Sequence, residues 1–73
     1  MSRAAVIGEA TAVQGYGLAG ALVCPAEDQD EAAAAWHALP ADVAVVVLTA
    51  RAAVWLSDVL ERRGDVLPVV MRP

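Results

Sequence analysis

The sequence predicts a small α/β domain: an open sheet of four parallel strands with helices on both faces. Three features lead there. Short apolar runs alternate with segments of helical periodicity along the whole chain. The runs lack the polar alternation of a strand with one wet face, so they read as buried on both sides, which is the habit of parallel sheets. No long linker, low-complexity tract or repeat of solenoid period interrupts the 73 residues, so residues 1–73 form a single domain.

Each element follows from local chemistry. Ala4–Gly8 (AAVIG) is a first strand that ends at a glycine. A short helix follows from Ala10 to about Leu18, with Ala12, Val13, Tyr16 and Ala19 on one side. Gly15 and Gly17 weaken it by about 1 kcal/mol each against alanine, which calls for a compensating close approach to the sheet. Gly20 suits a helix-ending turn before the second strand, Ala21–Cys24, which Pro25 closes because it has no N–H for a ladder bond. Asp28 or Asp30 can cap a second helix reaching Leu39, with Ala32, Ala35, Trp36 and Leu39 on its core face and Ala33, Ala34 and His37 opposite. Pro40 stops that helix.

Val43–Thr49 (VAVVVLT) is the most strand-like segment and takes the centre of the sheet. A third helix over about Arg51–Arg63 carries its core stripe at Ala52, Ala53, Leu56, Val59 and Leu60, and ends in Arg62, Arg63 and Gly64. Asp65–Leu67 is a turn, and Val69–Met71, preceded by Pro68, is the last strand. Right-handed crossovers then give the order 2-1-3-4, a flavodoxin- or receiver-like arrangement with the first helix on one face and the other two opposite.

Composition narrows the partners. A core this small is marginal, so a disulfide, a metal, an oligomer or a partner commonly adds stability. Cys24 and His37 are the only residues of their kinds, which excludes an internal disulfide and an ordinary Cys/His zinc site. The net charge of −4, with five Arg, no Lys and no basic stripe, argues against nucleic acid. The acidic run EDQDE (Glu27–Glu31) complements a helix start. The lone cysteine, the absence of a signal-like start and the absence of a membrane-length apolar run give a cytoplasmic expectation, with any membrane contact indirect.

Ligands of open α/β sheets favour the crevice beyond the strand C-termini at the switch point, here Gly8–Ala10 and Thr49–Arg51. The residues after Gly8, EATAVQ, lack the second glycine of a dinucleotide fingerprint, and Gly15–Gly20 has that spacing but ends a helix rather than opening one. Without lysine there is no P-loop. A phospho-acceptor site fails because the third strand ends in Leu48–Thr49 and only Glu9 follows the first. Cys24 sits between apolar and acidic residues, the wrong surroundings for a thiolate. No catalytic pair, cofactor site or metal constellation emerges, so the chain reads as non-enzymatic.

Val6–Ile7–Gly8, a polar turn, then Thr11, Val13, Gly15, Tyr16 and Leu18–Ala19–Gly20 form a pattern that resembles the F subunit of the V-type and A-type rotary ATPases. The acidic start of helix two, the Val-rich strand three and Leu67–Pro68 agree in layout. Gly8, Thr11, Gly15, Tyr16, Leu18, Ala19 and Gly20 are the signature and packing positions. The resemblance implies a non-catalytic central-stalk component that binds the coiled-coil D subunit of the stalk and helps couple ATP turnover, in synthesis or hydrolysis, to proton or sodium transport. Family members usually continue past strand four into a regulatory C-terminal helix, whereas this sequence runs to Met71–Arg72–Pro73, which fits either a naturally short form or a truncated one.

One consequence concerns coverage. A single helix on its face leaves apolar strand positions of a four-stranded sheet bare, which predicts a partner helix or a second copy over them. Val54 and Trp55 are contact candidates on helix three. A second reading stays open: a free-standing α/β domain that homo-oligomerises, or binds a small anionic ligand lined by Glu9, Thr49 and Arg51.

Overall fold

The computed structural model describes residues 3–13, 20–60 and 66–71. Its elements are β1 (Arg3–Gly8), α1 (Ala10–Val13), β2 (Leu22–Pro25), α2 (Gln29–His37), β3 (Val43–Leu48), α3 (Ala50–Trp55) and β4 (Leu67–Val70). The four strands form one parallel sheet in the order β2-β1-β3-β4, as the alternation of elements predicts.

Register sorts the strand residues onto two faces. Ala5 pairs with Leu22 and Val46, and Ile7 with Cys24 and Leu48, so these side chains share one face. There α2 and α3 pack against the sheet and each other, and Trp36, Ile7, Leu48, Leu56 and Val46 are fully buried in one cluster. Each such side chain contributes about 1.5–3 kcal/mol relative to exposure, which makes this layer the main source of stability. On the opposite face, α1 packs on β1 and β2, and among the described residues Val6 and Val13 are buried there. Beyond them Val45 and Val47 are half-buried, and Leu67 and Val69, their β4 partners, are 61% and 42% exposed.

Capping fixes where the helices start. Asp28, not Asp30, is the N-cap of α2: its Oδ1 accepts from the Glu31 amide at 2.8 Å. Glu31 in turn accepts from the Glu27 amide at 2.7 Å, so part of the acidic run satisfies orphan donors. Gln29 Nε2 donates to the Trp55 carbonyl at 3.3 Å and ties the start of α2 to the end of α3. On the far side of the sheet, Arg3 and Asp42 form a two-point ion pair, at 2.7 and 3.1 Å, that pins the start of β1 to the loop before β3.

Five expectations from the sequence are corrected. Thr49 leaves β3 to become the N-cap of α3, which therefore starts at Ala50. The regular α-helix of α3 ends at Trp55, and the chain goes on in turns over 56–60, where Ser57 and Val59 donate to carbonyls three residues back and Leu60 to the Leu56 carbonyl. Ser57 and Asp58 favour such local turns over helix. Leu56 is nonetheless buried, and Val59 and Leu60 still pack against the core.

The other three corrections concern two prolines and one alanine. Pro68 lies inside β4, which spans Leu67–Val70 instead of opening at Val69, and Pro25 pairs with Gly8 as the last residue of β2. Both strands are edges of the sheet, where proline is tolerated. Ala33 packs against the core with Ala35 rather than facing solvent beside His37. The expected extension of the first helix to Leu18, with Gly15, Tyr16, Leu18 and Ala19, and the basic end of the third lie outside the described residues.

Candidate functional site

The C-terminal edge of the sheet is organised around Thr49. The β1–β3 ladder runs on to the Thr49 amide, which donates to the Ile7 carbonyl at 3.2 Å. Thr49 is buried, and its hydroxyl makes two bonds: Oγ1 accepts from the Ala52 amide at 3.2 Å, capping α3, and donates to Glu9 Oε1 at 2.6 Å. Gly8 is what lets the two loops meet. A Cβ there would fall on Cγ2, Oγ1 and Cβ of Thr49, so any other residue would push the threonine out of its capping position.

Glu9 follows directly and serves the backbone as well. Its carbonyl accepts from the Ala12 and Val13 amides at 2.9 and 3.1 Å, which forms α1. The Thr49 hydroxyl and the residue's own amide hold its carboxyl below the usual range, and the Arg51 charge adds to the effect against a small desolvation. Glu27 approaches from the loop after β2, its Oε2 accepting from the Ala10 amide at 3.4 Å.

Glu9 and Thr49 border an open cleft of about 580 Å³. Glu9, Thr49 and Arg51, chosen from the sequence as switch-point residues, all line it. The remaining lining is apolar: Ala12, Ala50, Val54 and Met71. Val54 is 72% exposed and forms a rim. The other contact candidate, Trp55, is half-buried and packs against the core cluster. Of the signature positions, Thr11 is exposed on α1, and Gly20 adopts a φ of 85° that favours glycine in its turn.

Ala50 lies in the Thr49–Arg51 span chosen from the sequence, whereas Ala12 and Met71 were missed, because apolar residues carry no chemical pattern of their own. A signal for Gly8 was present: a glycine at a strand end next to an acid, opposite a threonine that can cap. Cys24 is half-buried, and burial alone raises its thiol pKa, the opposite of an activated nucleophile. Among the described residues no group of three His, Cys, Asp or Glu side chains could hold a metal ion, and no helix is long and apolar enough to cross a membrane.

The cleft thus offers a carboxylate fixed by the Thr49 hydroxyl, an arginine and apolar walls. No curated protein and no solved structure matches the chain. A family model does: residues 4–72 match that of the ATP synthase (F/14-kDa) subunit, and the span runs from β1 to the end of β4. By that match the chain belongs to the ATP synthase (F/14-kDa) subunit family and is a rotary ATPase component.

Proposed function

We propose that this protein is a non-catalytic central-stalk component of a V/A-type rotary ATPase, bound to the coiled-coil D subunit and turning with it on the cytoplasmic side of the membrane. The observation that carries this reading is the family match across all four strands. In this role the chain performs no bond chemistry. It stiffens the rotor and helps transmit torque between the ATP-driven head and the proton- or sodium-translocating ring.

Surface chemistry supports a docking role. Leu67, Val69, Val70 and Val54 are large apolar side chains left exposed, and β4 presents apolar residues on both of its faces. Co-expression with the coiled-coil stalk protein tests the reading. A stable complex on gel filtration is the expected result; a well-folded chain that never co-elutes with that protein would overturn it.

The second reading, a free-standing domain that binds a small anion or associates with itself, is favoured by one observation, the placement of Arg51 in the cleft. Glu9 weighs against an anion there, since its carboxylate is held in the charged form in the same space. Calorimetric titration with inorganic phosphate and with acetate separates the two readings. Saturable heat lost in Arg51→Ala would favour the anion site.

A further inference from the structure

Resting on the stalk reading, we infer that the cleft between Glu9, Arg51, Val54 and Met71 is the anchoring point for an α-helix of the partner. The helix seats one apolar side chain in the cleft, with a basic residue toward Glu9 and an acidic residue toward Arg51. The cleft walls are apolar while its two charges are of opposite sign, so the matching surface has a greasy residue between charges in the reverse arrangement. Thr49 holds the Glu9 carboxylate in place before any partner arrives, which reduces the ordering cost on binding.

The alternatives fit less well. A free anion drawn by Arg51 meets the Glu9 carboxylate in the same space. A second copy of the chain carries the same net charge of −4, so the two molecules repel each other as they approach. An added strand meets a blunted edge. The Met71 amide donates inward to the Leu48 carbonyl at 2.7 Å, so by alternation the Leu67 and Val69 amides also face β3 while positions 68 and 70 face outward. Position 68 is a proline with no N–H to give. A helix needs none of these backbone bonds, because its own are already made and it contributes side chains alone.

Binding of the full chain to the coiled-coil stalk protein of the same ATPase, measured with Val54→Lys and Arg51→Glu, tests the inference. Leu67→Lys and Val69→Lys on the sheet face serve as comparison. Val54 and Arg51 are exposed, so both cleft variants should melt like the parent chain. The expected result is at least a tenfold rise in Kd for each cleft variant and a smaller change for each sheet-face variant. A rise below tenfold in either cleft variant, or a larger loss from the sheet face, overturns the cleft assignment while the stalk reading stands. Failure of the parent chain to bind the coiled-coil protein overturns the stalk reading and the assignment that rests on it.

Discussion

The two faces of the sheet differ in what they ask of the chain. On the α2/α3 face, Trp36 is 1% exposed and sits among Ile7, Leu48 and Leu56 in a closed layer. On the α1 face, Val6 and Val13 are buried, but coverage declines toward β4, where Leu67 and Val69 face solvent. Parallel sheets are ordinarily covered on both sides. The α2/α3 side is closed except at Val70 on the β4 edge, while the α1 side is bare at Leu67 and Val69, so the layer that stabilises the domain lies apart from the exposed apolar edge around β4.

The sharpest way to break that comparison is Trp36→Ala. Truncating a fully buried tryptophan costs about 3–5 kcal/mol, comparable with the whole stability that one small core supplies. The variant should be largely unfolded at 25 °C, visible as loss of the far-ultraviolet helical signal. A cooperative melt like that of the parent would show that the α2/α3 face is not the main store of stability. Gly8→Ala comes next. Its methyl collides with Thr49, and relieving such a clash costs about 1–3 kcal/mol in a packed site. Denaturant midpoints measure the loss, and an unchanged midpoint would mean that the β1 and β3 loops are looser than their geometry.

Legibility in the sequence followed the same division. Strand order and the buried positions of α2 were readable because β-branched runs and a 3.6-residue stripe report burial directly, as Val43–Leu48 and Ala32 and Trp36 do. Element ends were less so. Thr49 has strand propensity yet caps α3, because its hydroxyl satisfies a helix amide and a β-ladder continuation needs only its backbone. Pro68 looked like a strand boundary because proline gives no N–H, but at an edge the missing donor faces solvent. Glu9, Thr49 and Arg51 could be chosen from the sequence by topology alone. That Met71 and Ala12 join them depends on tertiary placement, which no local pattern encodes.

Thr49→Ala sharpens the comparison at the join between the faces. It removes the α3 cap and the hydroxyl bond to Glu9, with a loss of about 1 kcal/mol. It also alters the pH profile. The Glu9 carboxyl titrates below its ordinary value of 4.5 in the folded chain, so the unfolded chain binds more protons in the interval between the two values. The resulting stabilisation is complete above the ordinary value and is lost as pH falls through the folded one. In Thr49→Ala this acid-side slope should flatten, because the hydroxyl is the largest contributor to the lowering. Urea midpoints for both chains across the acid-to-neutral range check it, and parallel slopes would assign the effect to other groups.

The smallest effect on folding, and the most informative about the open face, belongs to Leu67→Lys with Val69→Lys. Both side chains are exposed, and surface substitutions of this kind usually change stability by no more than about 0.5 kcal/mol. Association should respond far more than stability. Exposed apolar strand positions favour contacts between molecules, and two lysines add like-charge repulsion between copies at the place where they would meet. They also bring the net charge from −4 toward neutrality, which by itself promotes precipitation, so the two effects oppose each other. If local burial dominates, sedimentation at micromolar concentration gives a smaller weight-average mass for the double variant than for the parent, at an unchanged melting temperature. If mass rises instead, net charge rather than the bare end of the sheet governs self-association, and the contrast between the two faces then concerns folding alone.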